Sequence, residues 1–156
     1  MKKNLVTAGL MLMAATAGAQ SLNVDDMKVF KPEAIKWGED PSLPKGAKVA
    51  VLVGDPSKAE TFVALIKFPP HYKVQPHTHP AAELITIVSG SLGNGMGDKF
   101  DARKGEVLKA GASFALPAKH AHYVWTTDKP TVLQLVASGP WGLEYINPAD
   151  DPRKKK

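Results

Sequence analysis

Two stretches decide how this sequence reads: Pro76-His77-Thr78-His79-Pro80-Ala81-Ala82-Glu83 and Pro117-Ala118-Lys119-His120-Ala121-His122. Four of the five histidines lie in them, and the fifth, His71, stands just upstream. In an extended segment, residues two apart point to the same side. His77 and His79 therefore present two imidazoles to one point, and His120 and His122 share a face in the same way. Glu83 follows a short bend and has matching parity if the strand continues. If the two stretches are neighbouring strands, one imidazole of the second completes a set of three nitrogens and a carboxylate oxygen. That set suits one divalent transition metal ion: iron, manganese, zinc, nickel or copper. The chain has no cysteine, so a thiolate site is excluded. Catalytic sites of this kind keep a position open for water or substrate.

Around these stretches the pattern is that of short strands. Lys48–Val53, Thr61–Phe68, Glu83–Ser89, Gly105–Lys109, Ser113–Leu116, Ala121–Thr127, Thr131–Ala137 and Leu143–Ile146 are strand-like runs, separated by turn residues such as Gly54-Asp55-Pro56, Pro69-Pro70 and Asp128-Lys129-Pro130. In Thr61–Phe68 the period of two sets Phe62, Ile66 and Phe68 inward. Many short strands at this spacing, with no helical stripe, predict an all-β sandwich or barrel, of which a double-sheet jelly roll is one solution. Gly93-Asn94-Gly95 is expected to be a hairpin with backbone bulges, because no helix start follows to make it a phosphate loop. Residues 20–45 read as irregular, with Met27–Phe30 as an edge strand. Tyr123 and Trp125, on the opposite parity to His122, are expected to pack between sheets or across a dimer.

The ends read differently. Lys2 and Lys3, the apolar run Leu5–Ala17 and Ala17-Gly18-Ala19 before Gln20 have the anatomy of a secretory signal peptide. The expectation is a leader over 1–19, cleavage near Ala19–Gln20, and a periplasmic or secreted protein; the competing reading is an uncleaved anchor. The barrel is assigned to 46–147 and a solvated basic tail to 148–156. Most of the net charge of +5 resides in these ends. Lys2, Lys3, Arg153, Lys154, Lys155 and Lys156 account for it, and the nearly neutral body argues against a nucleic-acid partner. After leader removal no membrane partner is expected either.

The two histidine stretches resemble the paired motifs of the cupin superfamily. The first motif matches at His77, His79, Glu83 and Gly90, and the second at Gly111, Pro117 and His122. The resemblance runs from about His71 to Thr126. It implies a double-stranded β-helix, or jelly-roll barrel, with His77, His79, Glu83 and His122 as metal ligands. Three positions depart from the family pattern: His71 and Lys119 replace glycines, and Thr126 replaces an asparagine. A histidine tolerates a left-handed turn better than most residues, so His71 is read either as a turn residue or as a polar group at the pocket mouth. His120 is read as a rim residue, a base behind the ligands, or a ligand if the register shifts.

Two function classes follow. One is a metal-dependent oxidoreductase, dioxygenase-like, acting on a small oxygen-rich metabolite, with His71 and His120 as the acid–base candidates because imidazole titrates near neutrality. The other is a periplasmic protein that binds or senses a small molecule or metal without turnover. A homodimer is expected from the apolar outer strands.

Overall fold

The structure is a computed structural model that describes Leu22 and residues 24–154. The expected leader, 1–19, lies outside the described residues. Among the described residues there are ten strands: β1 Lys48–Val53, β2 Thr61–Phe68, β3 Lys73–Thr78, β4 Glu83–Ser89, β5 Ser91–Met96, β6 Glu106–Lys109, β7 Ser113–Leu116, β8 His122–Thr126, β9 Thr131–Ser138 and β10 Glu144–Tyr145. They form two five-stranded sheets, ordered β1-β2-β9-β4-β7 and β10-β3-β8-β5-β6. All pairings are antiparallel. The fold is all-β, a double-stranded β-helix, as expected.

The sheets face each other over one core. Phe62, Ala64 and Phe68 of β2, Ile85 and Ile87 of β4, and Leu133, Leu135 and Ala137 of β9 meet Val74 of β3, Leu92 of β5 and Val124 of β8. The strict alternation of buried and half-buried residues along β9 is the period of two expected of a strand with one inward face. Burying each of the large side chains contributes about 1.5–3 kcal/mol.

Eight runs marked in the sequence form strands, with ends shifted by a residue or so. Two strands were not anticipated. β3 contains Pro76, which removes a ladder donor, and its register with β8 slips between Val74 and His77. A proline is tolerated at such an irregularity. β5 runs through Gly93-Asn94-Gly95, so the expected hairpin there is wrong; the turn sits at Gly90, at φ 78°. The glycines serve close packing. A Cβ on Gly93 would lie 2.0 Å from the Trp125 ring, and one on Gly95 2.3 Å from the Tyr123 ring. Tyr123 and Trp125 lie flat across β5 on the outer face of their sheet. Phe100 covers them at 4.9 and 5.7 Å, and the Tyr123 hydroxyl donates to Asp101 O at 2.8 Å. They are buried within this chain, not between the two sheets.

Met27–Phe30 forms no strand. The N-terminal segment is tied instead through Leu22 to Thr61 and through Gly38 to Val49. The described part of the tail is also more anchored than expected. Arg153 donates to both carboxylate oxygens of buried Asp151, at 2.8 and 2.9 Å, and to Leu143 O at 2.9 Å.

Candidate metal centre

The two sheets bring four side chains to one end of the core. His77, near the end of β3, pairs in register with His122 at the start of β8, so their rings stand side by side, 4.3 Å apart. His79 lies just beyond β3, its ring 4.9 Å from that of His77 and 5.4 Å from that of His122. Donor atoms of the three histidines all lie within 4.8 Å of one another. Glu83 does not continue the same strand, as its parity had suggested. The chain bends at 79–82, and Glu83 opens β4 in the facing sheet. It reaches back across the barrel, with Oε2 3.8 Å from His79 Nε2 and Oε1 3.6 Å from His122 Nε2.

The rings are aimed by the backbone. His77 Nδ1 faces Gln75 O at 2.7 Å and His79 Nδ1 faces Gly142 O at 2.8 Å. With Nδ1–H donated to a carbonyl, Nε2 keeps its lone pair for a hydrogen-bond donor or a cation in the cavity. Lys119, at φ 62°, stands in the left-handed turn where the family pattern has glycine, and its N–H donates to His79 O at 2.8 Å. That bond ties the two histidine stretches together. Thr126, in place of asparagine, fastens the far end of β8: its hydroxyl donates to Pro69 O at 2.6 Å and accepts from Tyr72 N–H at 2.8 Å.

Burial sets the charge state. Loss of solvent lowers His77 to about 3 and His79 to about 4, and drives His122 well below the usual imidazole range. The neighbouring histidines push His77 and His122 further the same way. Burial raises Glu83 to about 7. The histidines are therefore neutral, and their contacts with Glu83 are not ion pairs. At 3.6 and 3.8 Å they are also too long to be hydrogen bonds. Glu83 Oε1 and both ring nitrogens of His122 are buried without a hydrogen-bond partner among the described residues. A buried polar atom without a partner costs about 1–3 kcal/mol, and here several such atoms face one another. A divalent cation fits this set: three neutral nitrogens and a carboxylate are its ordinary donors.

The four side chains line a cavity of about 70 Å³. Its other walls are mainly apolar, among them Phe68, Phe114, Leu133 and Leu135. Trp141 also lines it, stacked on His79 at 4.3 Å and 14°. Asp40 and Ser42 complete the wall. Sequence reasoning missed Trp141, Asp40 and Ser42. Their only signal was a tryptophan between glycine and proline turns and an Asp-Pro-Ser turn, neither of which points to a site. His71 and His120, expected as acid–base groups, do not line the cavity. His71 is exposed on a turn at φ 55°, its N–H donating to Thr127 O at 2.7 Å. His120 is exposed, with Nδ1 3.2 Å from Ala118 O.

Comparison with known proteins bears on the same region. A family model described as a domain of unknown function, DUF4437, matches residues 13–141. A putative germin-like protein 9-2 of Oryza sativa subsp. japonica is 34% identical over 77 residues, 49% of this chain and 36% of that protein. The match thus spans only about a third of that relative's length. Among solved structures, the polyketide cyclase RemF from Streptomyces resistomycificus superposes with a TM-score of 0.67 at 19% identity, covering 83% of this chain and 92% of that one. An RmlC-like cupin from Shewanella frigidimarina gives 0.57 at 19% identity, covering 72% and 91%. At these identities the structural likeness is one of fold.

Proposed function

This chain belongs to the DUF4437 family and is a cupin, and from that membership we propose that it is an exported, metal-dependent enzyme of dioxygenase-like oxidoreductase type, acting on a small molecule. One observation carries the reading. Three neutral imidazoles and a carboxyl converge in an apolar cavity, with buried donor atoms that nothing among the described residues satisfies. His77, His79, His122 and Glu83 would hold the ion, with iron, manganese, zinc, nickel and copper all compatible with the donor set. Such an ion supplies Lewis-acid polarisation of a bound oxygen, or a place for dioxygen.

The chain's own residues supply the rest. Glu83 would supply the one anionic oxygen of the set, offsetting part of the ion's charge. The apolar walls exclude water, and Trp141 shields His79. The lining also narrows the expected oxygen-rich metabolite. Oxygen atoms are matched at the histidine end, while the rest of the ligand meets hydrocarbon. Export is part of the proposal and rests on the pattern of residues 1–19. So is a homodimer, which would cover Leu84 and Val88, 45% and 52% exposed, beside half-buried Val63 and Leu65 on the outer face of the first sheet.

The test is dioxygen uptake by metal-loaded protein over a panel of enols, catechols and dicarboxylates. Turnover lost in His77→Ala supports the enzyme. Tight binding with no turnover across the panel assigns the cavity to capture or sensing instead.

A further inference from the structure

We infer that Trp141 is a specificity-determining residue: its indole is a fixed partition between the histidine cavity and an adjoining apolar groove, and it restricts the cavity to short-chain oxygen ligands. The inference rests on reading His77, His79, Glu83 and His122 as the ion-holding end of the cavity.

The groove, of about 280 Å³, is walled by Val49 and Val51 of β1, Phe62 and Ala64 of β2, Pro56 and residues 39–41. Ile66 of β2, Leu135 of β9 and Trp141 line both spaces. Along β2, Phe62, Ala64, Ile66 and Phe68 share one face, and Ala64 lies opposite Leu135 in the neighbouring strand. Groove and cavity are thus two stretches of one apolar floor, with Phe62 and Ala64 under the groove and Phe68 under the cavity.

The indole lies where the two meet. One face is stacked on His79, with centroids 4.3 Å apart and planes at 14°. The same ring meets Phe62 edge-on, at 5.7 Å and 67°. It therefore touches an ion-holding side chain on one side and the floor of the groove on the other. The loop that carries it is fastened along its length. Gly139 N–H donates to Glu60 O at 2.9 Å, Trp141 N–H donates to Pro56 O at 2.7 Å, and Gly142 O faces His79 Nδ1 at 2.8 Å. Gly139 permits this close approach, since a Cβ there would lie 2.2 Å from Lys58 O. The ring is a wall and not a lid.

The consequence is a limit on size. The cavity side holds about 70 Å³, well under the ~150 Å³ that accommodates benzene. With a divalent ion on the histidines, an anionic pair of oxygens is matched there, and the body behind it is held to a few atoms. Without the indole, a tail would continue over Ile66 and Leu135 into the groove, where each buried methylene gains about fourfold in affinity.

Acetohydroxamate and octanohydroxamate test this, because both chelate zinc through the same two oxygens and differ only in the tail. Calorimetric titration of zinc-loaded protein reads the ratio of their affinities, which cancels any change at the ion itself. The wild type and Trp141→Phe, which keeps a ring in place, should bind the two within about fourfold, the value of a single methylene. Trp141→Ala, or Trp141→Val if the alanine variant does not fold, should favour octanohydroxamate by about tenfold or more, as two or more buried methylenes require. Adding Val49→Phe, or Val51→Phe if the first does not fold, fills the groove and should return the ratio to its wild-type value. A long-tail preference of that size already in the wild type, none in the folded small-residue variant, or one that survives filling of the groove would overturn the assignment. If acetohydroxamate does not bind the zinc-loaded wild type, the metal reading fails instead. Metal-free protein and 1-hexanol then read the partition: tighter binding to Trp141→Ala than to wild type supports it, and equal binding overturns it.

Discussion

Nε2 of His122 and Oε1 of Glu83 lie 3.6 Å apart across the barrel, and neither has a hydrogen-bond partner among the described residues. The two atoms come from facing sheets, and burial keeps both groups uncharged near neutral pH or below. Without an ion between them they are a cost to the fold.

That cost predicts an opposed response to Glu83→Gln. At pH 8 the carboxyl of metal-free protein must ionise in a buried site, and its displacement from 4.5 to about 7 corresponds to a penalty of about 3 kcal/mol. The variant should unfold at higher urea than wild type when both are metal-free at pH 8. It should also bind zinc at least tenfold more weakly, because a neutral amide replaces an anionic donor. Loss of metal-free stability in the variant would contradict this account.

The metal-free protein should lose thermal stability on acidification from pH 7 to 5. His77 and His79 are held at about 3 and about 4, against 6.5 for the free group, and His122 is lowered too. Unfolded, the three take up protons that the fold refuses. Their contribution is therefore complete above pH 6.5 and drains away as pH falls. Glu83 acts in the opposite sense: its contribution is complete below 4.5 and is lost as pH rises toward 7. Three groups against one leave acid destabilisation as the net effect. A Tm that is flat or rises from pH 7 to 5 would show that the histidines are not buried as a cluster.

Gly93→Ala should destabilise the barrel by about 2 kcal/mol or more, the cost of forcing volume into a packed site. The added methyl would fall 2.0 Å from Trp125, which is itself held by Phe100 and Tyr123. Urea unfolding reads the loss. Gly97→Ala is the wrong comparison, since its φ of 111° adds backbone strain. Gly142→Ala, whose added Cβ meets nothing within 4 Å, is the control.

Expression with export should yield a mature chain beginning at Gln20. Intact mass of the protein from the periplasm or medium reads this directly, and retention of residues 1–19 would favour the anchor.

How much was legible in the sequence follows from what each element depends on. Alternation alone defined β2, β4 and β9, because one face of each is buried and the period of two survives in the residue types. The ligand set was legible because histidines at i and i+2 are rare signals of a shared direction. β3 and β5 were not, because Pro76 and the Gly93-Asn94-Gly95 run are turn signals locally. Only Trp125 and Tyr123, thirty residues away, turn those glycines into strand. The path of Glu83 was also hidden, since parity says nothing about a chain that changes sheets at 79–82. His71 and His120 were weighed by chemistry alone, and the backbone turns them outward. Asp40, Ser42 and Trp141 reach the cavity from segments with no periodic pattern, where sequence gives no direction to a side chain.

The central claim is that His77, His79, Glu83 and His122 hold one divalent ion. Elemental analysis of the purified mature protein tests it most directly, alongside His77→Ala and His122→Ala. The account predicts close to one transition-metal ion per chain in the wild type and loss of it in both variants, with the fold retained by circular dichroism. A folded wild-type protein that stays metal-free after incubation with iron, manganese, zinc, nickel and copper salts would contradict it.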